Sequence, residues 1–250
     1  MKITILGTRG EVKESAPGHI RHSGVLVDLE ILLDIGEREF LNLQPKAIFI
    51  THLHPDHAFF ILEPAKIETA IPIYAPEGNK NAEIIVPTGP VALDNYRVTP
   101  FPTLHSKKFL SQGYVVEKGS LKLVYTGDLI RFDKLHYPLL ENADLIITDG
   151  SHLRKGGRIF RDKETGQVYG HAGIPDLIKL MRPFTANILF LHFGTWFYED
   201  VSRSTDQIEE LGREHNMRVI VGYDGLELDM DDLVGRPLIG QATLDRWKDS

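Results

Sequence analysis

Six apolar runs in this chain each end, within a residue or two, in a histidine or an aspartate. These side chains are nitrogen and oxygen ligands for divalent metals. Where strands are parallel or suitably arranged, their ends share one edge of a sheet, and α/β folds usually build their sites there. The pattern therefore predicts one convergent site. The residues that end the runs are His52 with His54, His105, Asp128, Asp149, His192 and Asp224.

The spacing of apolar residues predicts a layered α/β (α+β) architecture. The first half of the chain carries mostly short β-type runs, and the second half alternates such runs with amphipathic stretches. Strands are predicted at Lys2–Leu6, Ser23–Leu29, Ile31–Ile35, Lys46–Thr51, Ile71–Tyr74, Tyr96–Pro100, Gly113–Glu117, Leu121–Tyr125, Leu145–Thr148, Ile188–Leu191 and Arg218–Gly222. Helices are predicted from Pro55 through Leu62, at Pro175–Met181 and at Ser204–Asn216.

Residues 51–57 read THLHPDH and concentrate three imidazoles beside one carboxylate. Burying several imidazoles unpaired is costly, whereas a divalent cation binds neutral imidazole and ionised carboxylate together. His52 and His54, two residues apart after a strand, project to the same side. Asp56 and His57 follow Pro55, where the chain turns and points them differently. The spacing predicts one metal for the first pair and a second metal for the second pair.

Neither pair is a complete metal site, because zinc-type sites need three or four protein ligands. His105 and His192, both at strand ends, are the natural completions. Asp128, in the turn Thr126-Gly127-Asp128, can bridge two ions through its two carboxylate oxygens. Two metals about 3.5–4 Å apart would then share a bridging hydroxide, which is a nucleophile at neutral pH.

Composition narrows the class of protein. The chain has no cysteine, which excludes disulfides and thiolate ligands. Its net charge of −7 argues against a surface dedicated to coating nucleic acid. No apolar run approaches the ~18 residues that a membrane span requires, and the N-terminal run is too short for a signal-peptide core. We therefore expect a cytoplasmic protein with no membrane partner, folded as a single domain over residues 1–250.

In this order the motifs resemble the signature of the metallo-β-lactamase superfamily. The elements that carry the resemblance are HLHPDH, the later His105, TGD with Asp128 and LHF with His192. The resemblance implies a four-layer αββα sandwich and two divalent ions, zinc first, with manganese or iron as alternatives. It divides the ligands between one metal on His52, His54 and His105, a second on Asp56, His57 and His192, and Asp128 bridging both.

Two further segments are similar to RNase Z and related cyclic phosphodiesterases. They are the opening LGTRGEV followed by LLDIGE, and Gly170-His171-Ala172, which resembles the element where those enzymes hold a histidine near the scissile phosphate. The resemblance makes His171 a proton donor or phosphate contact, with a structural role at a helix start as the alternative. Asp149, where relatives place an acid, could orient His171. Asp56 and His171 are the predicted catalytic residues.

The segment Leu153–Lys163 carries five basic residues in an acidic chain. It lies between two strand-end elements, so Arg154 and Arg158, together with Asp149, are predicted to contact an anionic substrate. A solvated hairpin is the alternative reading of this segment. The chain has no insertion like the basic, Gly/Pro-rich arm of tRNA-processing relatives. We therefore expect a small or short phosphodiester substrate, with nucleic acid open but not as a dedicated tRNA ligand.

The leading prediction is a dinuclear metal-dependent hydrolase of phosphodiesters in which His171 protonates the leaving group. A lactonase or thioesterase of the same fold, which attacks a carbonyl, is the alternative. A di-iron redox protein also suits the ligand types, but that branch needs an electron donor such as a fused flavin domain, for which the chain has no room. Hydrolases of this fold often dimerise, so a homodimer stays open.

Overall fold

The computed structural model describes residues 1–233, and within them short strands dominate over helices. The strands are β1 Lys2–Gly7, β2 Gly24–Val27, β3 Ile31–Leu33, β4 Ala47–Phe49, β5 Ile73–Tyr74, β6 Ile84–Ile85, β7 Val91–Leu93, β8 Tyr96–Leu104, β9 Gln112–Lys118, β10 Leu121–Tyr125, β11 Arg131–Phe132, β12 Leu145–Asp149, β13 Arg158–Arg161, β14 Val168–His171, β15 Asn187–Leu191, β16 Arg218–Val221 and β17 Glu227–Asp229. The α-helices are α1 Tyr137–Leu140, α2 Ile174–Met181, α3 Thr195–Tyr198 and α4 Val201–Glu214. The 3-10 helices are Arg38–Leu43, Phe59–Leu62, Lys134–His136 and Met230–Asp232.

The first sheet has the strand order β17-β1-β2-β3-β4-β5-β6. Strands β1, β2 and β3 are joined antiparallel, and they confirm the three strands predicted at the start of the chain. From β3 to β6 the neighbouring strands are parallel. The loop that follows β4 therefore leaves the sheet at the carboxyl edge of its parallel half, and this loop carries the histidine cluster.

The second sheet has the order β11-β8-β9-β10-β12-β15-β16, with β7 paired to β8. Strands β10, β12, β15 and β16 are mutually parallel. Their carboxyl ends consequently lie side by side, and three of them lead directly into Asp128, Asp149 and His192. The prediction that strand ends converge at one edge is confirmed for these elements.

The two sheets pack face to face over a core in which Ile3, Val25, Phe49, Tyr114 and Leu189 are almost completely buried. A second apolar cluster joins the outer face of the second sheet to helices α2 and α4. A third covers the outer face of the first sheet with 3-10 segments and loops. Removal of these apolar faces from water is the main driving force for the layered arrangement. This is the predicted four-layer sandwich.

The helix predicted from Pro55 through Leu62 is wrong for its first half. Only a 3-10 helix, Phe59–Leu62, forms there. The backbone of this segment instead pairs with Ile35: the Ile35 amide donates to the His57 carbonyl, and the Phe59 amide donates to the Ile35 carbonyl. Before the 3-10 helix, the Ala58 amide makes one i to i−4 bond to the His54 carbonyl, and a single bond of this kind is a turn and not an α-helix.

The two helices predicted later in the chain are confirmed, with starts one to three residues earlier than predicted. Asp200 caps α4 by accepting a hydrogen bond from the Arg203 amide, which accounts for the earlier start of that helix. None of the helices in residues 1–233 combines the length and the apolar composition needed to cross a bilayer.

Strands β13 and β14 form a separate two-stranded antiparallel sheet, which the sequence predicted only as an alternative. This hairpin projects beside the carboxyl edge of the second sheet. Its base is anchored there by two backbone bonds, since the Gly170 amide donates to the His105 carbonyl at 2.7 Å and the Ala172 amide donates to the Leu129 carbonyl at 2.8 Å. The hairpin therefore has a fixed position relative to the predicted metal ligands.

Candidate metal centre and active site

The loop after β4 is held in place by a buried aspartate that precedes it in the chain. Asp34, at the end of β3, accepts hydrogen bonds from the Thr51 amide at 2.7 Å and from the Thr51 hydroxyl. It also accepts from the Tyr125 hydroxyl at 2.7 Å and faces Nδ1 of His57 at 2.7 Å. Asp34 is completely buried and adopts a left-handed φ of 57°. One carboxylate thus ties β3, β4 and β10 to the histidine loop.

Three histidines and an aspartate form the first potential metal-binding group, with ligand atoms all within 4.8 Å of one another. Nε2 of His52 lies 2.8 Å from Nδ1 of His54, and Nε2 of His105 lies 3.2 Å from that same nitrogen. Oδ2 of Asp128 is 3.4 Å from Nε2 of His105 and 3.6 Å from Nε2 of His52. This is the donor set predicted for the first ion.

The second group joins Asp56, His57 and His192. Oδ2 of Asp56 lies 2.8 Å from Nε2 of His192 and 3.7 Å from Nε2 of His57. Oδ1 of Asp128 is 3.2 Å from Nε2 of His57. The two oxygens of Asp128 therefore face different groups, as a bridging carboxylate would. The structure brings all seven predicted ligands together, and their role as ligands stays a prediction.

Hydrogen bonds behind the rings fix which nitrogen faces inward for three of the histidines. Nδ1 of His57 is bonded to Asp34, Nδ1 of His105 donates to the Gly170 carbonyl at 2.9 Å, and Nδ1 of His52 lies 3.1 Å from the Thr51 hydroxyl. Nε2 of each ring is left facing the cluster. Such outer partners orient metal-binding imidazoles and raise their basicity as ligands.

Two buried polar atoms support the fit of a cation. Nε2 of His57 and Oδ1 of Asp128 lie almost without solvent exposure and have no hydrogen-bond partner among the described residues, although they are 3.2 Å apart. Buried polar atoms are normally paired, and a divalent ion bound by both would satisfy each of them. Because every donor is imidazole nitrogen or carboxylate oxygen, the set suits zinc, manganese or iron.

The electrostatics of the cluster divide the histidines into two kinds. Burial, followed by the neighbouring His105, lowers the pKa of His54 to about 4, and burial also lowers the pKa of His52. For His192, burial opposes protonation, but Asp128 and the other nearby carboxylates outweigh it and raise the pKa to about 10. The second group is thus rich enough in negative charge to hold protons in the absence of a cation.

The backbone around the cluster is shaped for close approach. Gly127, in the turn before Asp128, has φ of 58°, and a Cβ there would lie 2.6 Å from the hydroxyl oxygen of Thr51. His192 is itself in the left-handed region, with φ of 61°. Non-glycine residues rarely adopt this conformation, and when they do they cluster at functional sites. The strain at His192 therefore coincides with the predicted site.

His171 lies at the end of β14 and is oriented by the carboxylate of Asp149. Nδ1 of His171 is 2.7 Å from Oδ2 of Asp149, and the His171 ring is 4.6 Å from the His105 ring and 5.7 Å from the His192 ring between centroids. Burial opposes protonation of His171, but Asp149 raises its pKa above the ordinary value. His171 therefore stands beside both ligand groups with its Nε2 directed away from Asp149.

Asp149 occupies a different place from that predicted for a substrate contact. It is 1% exposed, and both its oxygens are used within the protein. They accept hydrogen bonds from the Leu129 amide, from the Ser151 amide and hydroxyl, and from His171. The carboxylate lies beneath His171, and both of its oxygens are already bonded. Its negative charge would also repel an anionic substrate. These contacts favour the orienting role that the sequence also predicted for Asp149, and a direct contact with substrate stays an untested prediction.

A pocket of about 620 Å³ opens above the cluster, a size typical of small-molecule sites. Of the two arginines predicted to contact substrate, Arg158 lines this pocket and Arg154 does not. Lys107 and Lys108 contribute further positive charge, and Trp196 forms part of the opposite wall. The pocket thus combines acidic ligand groups at its floor with basic residues on its rim.

Sequence reasoning missed several residues of the site. Asp34 follows the apolar run Ile31–Leu33. It would have been included among the residues that end apolar runs if the predicted strand had not extended to Ile35. Ser151, whose hydroxyl lies 2.8 Å from Nδ1 of His192, carries no signal in the sequence. The pocket residues Phe160 and Tyr169 also had none, because the hairpin strands were not predicted. Asp224, which the strand-end pattern placed with the convergent residues, instead accepts hydrogen bonds from two backbone amides and Thr8 and belongs to neither ligand group.

Comparison with known proteins agrees with the fold. Residues 38–193 match the model of the beta-lactamase superfamily domain, which covers well over half of the chain. Among curated proteins, no sequence match was found. The metallo-beta-lactamase fold protein YhfI from Bacillus subtilis superposes with a TM-score of 0.62 at 19% identity, covering 91% of this chain and 99% of that one.

Two other solved structures are similar to this chain, with comparable TM-scores and sequence identities. The short form of human tRNase Z gives a TM-score of 0.58 at 18% identity, covering 92% of this chain and 99% of that chain. A diphosphatase of the PhnP family gives a TM-score of 0.59 at 17% identity, covering 91% of this chain and 97% of that chain. Identities this low show a shared fold only. Together with the family match, they establish that the chain belongs to the beta-lactamase superfamily and has the metallo-β-lactamase fold.

Proposed function

We propose that this protein is a dinuclear metal-dependent phosphodiesterase. The observation that carries the proposal is the Asp149–His171 pair, because it holds an imidazole beside both proposed ligand groups. His171 and Asp149 also lie close enough to Asp128 and His192 to form a third potential metal-binding group, but Asp149 already bonds Nδ1 of His171. A phosphodiester expels an alkoxide, which needs a proton as the P–O bond breaks. His171, whose pKa is raised by Asp149 against the effect of burial, is suited to supply that proton from Nε2.

The proposed ligands are His52, His54 and His105 for one ion, Asp56, His57 and His192 for the other, and Asp128 for both, with zinc as the first candidate metal. When bound, two such ions lower the pKa of water and neutralise charge that develops on a phosphoryl group. Asp56 is proposed as catalytic through this position at the pocket floor. Arg158, Lys107 and Lys108 would attract and orient the phosphate from the rim.

The similar structures support this substrate class without deciding it. One is described as a tRNase Z and another as a diphosphatase, so both act on phosphorus esters or anhydrides. The present chain has a pocket on the small-molecule scale, which favours a small or short phosphodiester over a folded tRNA. A cytoplasmic location, a homodimer and a single domain through residue 250 remain predictions from the sequence, and residues 234–250 lie outside the described part.

The test compares leaving groups. His171→Asn keeps a donor for Asp149 but cannot transfer a proton, so hydrolysis of a diester with an alkoxide leaving group should fall by about 10²–10⁴-fold. Bis(p-nitrophenyl) phosphate expels a stable phenolate and should be affected much less. His215→Ala, which removes an imidazole at the end of α4, is the control and should not change either rate. An equal effect of His171→Asn on both substrates would contradict the proton-donor role.

The runner-up activity predicts another result. A lactonase or thioesterase of this fold should open homoserine lactones or cleave thioesters and tolerate the loss of His171. A screen of the metal-loaded protein over phosphodiesters, lactones and thioesters therefore separates the two functions. Hydrolysis of lactones alone, unchanged in His171→Asn, would replace the phosphodiesterase proposal.

A further inference from the structure

His152 is a half-buried histidine on the pocket wall that the proposed mechanism does not use. Its ring makes no hydrogen bond to any residue in the described part of the chain. The His152 ring lies edge-on to the His171 ring, with centroids 5.8 Å apart and planes inclined by 72°. An imidazole whose nitrogens have no partner among residues 1–233 therefore stands in the pocket beside the proposed proton donor.

The backbone that carries His152 is fixed by its neighbours. The Ser151 carbonyl accepts a hydrogen bond from Nε1 of Trp196 at 2.8 Å, and the His152 carbonyl accepts one from the Ile174 amide at 2.8 Å. The Ser151 hydroxyl also lies 2.8 Å from Nδ1 of the predicted metal ligand His192. His152 is consequently held in register with the metal centre, so a ligand group can bind its ring without reordering the loop.

The charges around His152 suit it to accept a hydrogen bond. Arg158 and Lys108 also line the pocket, and their guanidinium and ammonium groups can only donate. Burial, followed by the neighbouring His171, lowers the pKa of His152, so its ring is mostly neutral at pH 7. A neutral imidazole has one nitrogen that donates and one that accepts. His152 can thus accept a hydrogen bond from a hydroxyl group, which the cationic side chains cannot do.

The hairpin of β13 and β14 offers no flat surface to an aromatic leaving group. The rings of Phe160 and Tyr169 are stacked on each other, with centroids 5.4 Å apart. The Arg158 guanidinium lies 5.3 Å from the Phe160 ring centre, and the Lys107 ammonium lies 5.0 Å from the Tyr169 ring centre. Protein groups therefore already occupy these ring faces. The polar wall that remains favours a leaving group with hydroxyl groups over one with a ring.

We infer that His152 binds a hydroxyl group on the carbon next to the scissile oxygen, and that the substrate is a phosphodiester whose leaving group is a small polyol. Oxygens on neighbouring carbons can contact both imidazoles at once, since a hydrogen bond of about 2.8 Å to each ring bridges the separation of the His152 and His171 rings. This inference rests on the proposed phosphodiesterase function and adds the chemistry of the leaving group. His152 is a specificity-determining residue in this account and transfers no proton.

The kinetic test uses metal-loaded protein and two symmetric diesters, bis(2-hydroxyethyl) phosphate and bis(2-fluoroethyl) phosphate, so that the identity of the leaving group is unambiguous. Fluorine is close to a hydroxyl group in size and withdraws more electron density, but it has no proton to donate. Electronic effects alone would therefore favour the fluoroethyl diester. One net hydrogen bond should instead give the wild type a kcat/KM about 2- to 13-fold higher for the hydroxyethyl diester.

Three variants assign this preference to a residue. In His152→Ala the hydroxyethyl diester should lose its advantage. His152→Gln carries an amide that both donates and accepts, and it should retain part of the advantage. His136→Ala removes a half-buried histidine that does not line the pocket, and it should retain all of it. A preference that survives in His152→Ala, or one that His136→Ala abolishes equally, would overturn the assignment to His152.

A binding measurement tests the subsite without turnover. In bis(3-hydroxypropyl) phosphinate and bis(3-fluoropropyl) phosphinate, carbon replaces the two bridging oxygens, so neither compound can be hydrolysed. Calorimetry should show about 2- to 13-fold tighter binding of the hydroxyl compound to the wild type and equal binding of the two to His152→Ala. Equal binding to the wild type would overturn the subsite and leave the proposed function standing if both diesters are hydrolysed. Hydrolysis of neither diester would overturn the proposed function, and the polyol leaving group with it.

Discussion

The Nδ1 atom of His57 lies 2.7 Å from the Oδ2 atom of Asp34, and both side chains are completely buried. This contact turns Nε2 of His57 towards Asp128, at 3.2 Å from Oδ1. Asp34 contacts no other member of the second ligand group. It reaches the first ligand group through Thr51, whose hydroxyl bonds Asp34 and lies 3.1 Å from Nδ1 of His52.

Asp34→Ala should therefore damage both stability and metal binding. The substitution leaves the Thr51 amide, the Tyr125 hydroxyl and His57 buried without their acceptor, at about 1–3 kcal/mol for each unsatisfied group. We expect the free energy of unfolding, measured by urea titration, to fall by at least about 3 kcal/mol. Tyr125→Phe removes only one donor and should cost about 1 kcal/mol. Similar losses in the two variants would contradict the central role of Asp34.

The position of the hairpin should depend on Gly170. This residue has φ of 121°, and a Cβ there would lie 2.1 Å from the Arg158 carbonyl oxygen. Gly170→Ala should displace β14 and reduce hydrolysis of alkoxide diesters while the metal content of the protein is retained. Gly166 also has a left-handed φ, but a Cβ at Gly166 meets nothing within 4 Å, so Gly166→Ala is the matched control. Equal activities in the two variants would show that the anchoring of the hairpin is unimportant.

A histidine outside the ligand groups should make stability depend on pH. His19 packs edge-on against Phe197, with ring centres 4.9 Å apart, and its Nδ1 is bonded to Thr8. Burial lowers the pKa of His19, although Asp224 opposes the shift. A lowered pKa means that the unfolded chain takes up the proton first, so the contribution of His19 is complete above the ordinary value of 6.5 and declines as the pH falls below it.

The variant His19→Gln isolates this effect, because the other histidines remain. The difference in unfolding free energy between wild type and His19→Gln, in protein stripped of metal, should shrink between pH 7.5 and pH 5.5. A difference that is constant or grows towards acid would show that His19 is not buried in its neutral form.

The sequence predicted the convergence of ligands because strand ends are local signals. His52, His54, Asp128 and His192 each directly follow an apolar run, and parallel pairing brings such positions to one edge. The division of His105 and His192 between two ions needed the family resemblance, since spacing relates only residues close in the chain. Asp34 was missed because its left-handed conformation, which ends β3 before Ile35, is set by contacts with Thr51 and Tyr125 that lie far away in sequence.

The sequence offered a solvated hairpin only as an alternative for Leu153–Lys163, and it did not locate the strands β13 and β14. These strands are four residues each, RIFR and VYGH, and all eight residues are exposed or half-buried. Such strands lack the apolar alternation on which strand prediction depends. Their stability comes from the hydrogen bonds between Gly170 and His105 and from the stacked rings of Phe160 and Tyr169. Only the folded chain brings the residues of these contacts together. The hairpin is consequently the least predictable part of the site.

The central claim is that this chain holds two divalent ions bridged by Asp128. The most direct measurement is the metal content of protein that has been stripped, reconstituted with zinc and desalted, determined by inductively coupled plasma mass spectrometry. We predict two zinc ions per chain in the wild type, and at most one in Asp128→Ala with loss of hydrolysis. A wild type that retains one ion or none, or an Asp128→Ala variant that retains both ions and full hydrolysis, would contradict the account.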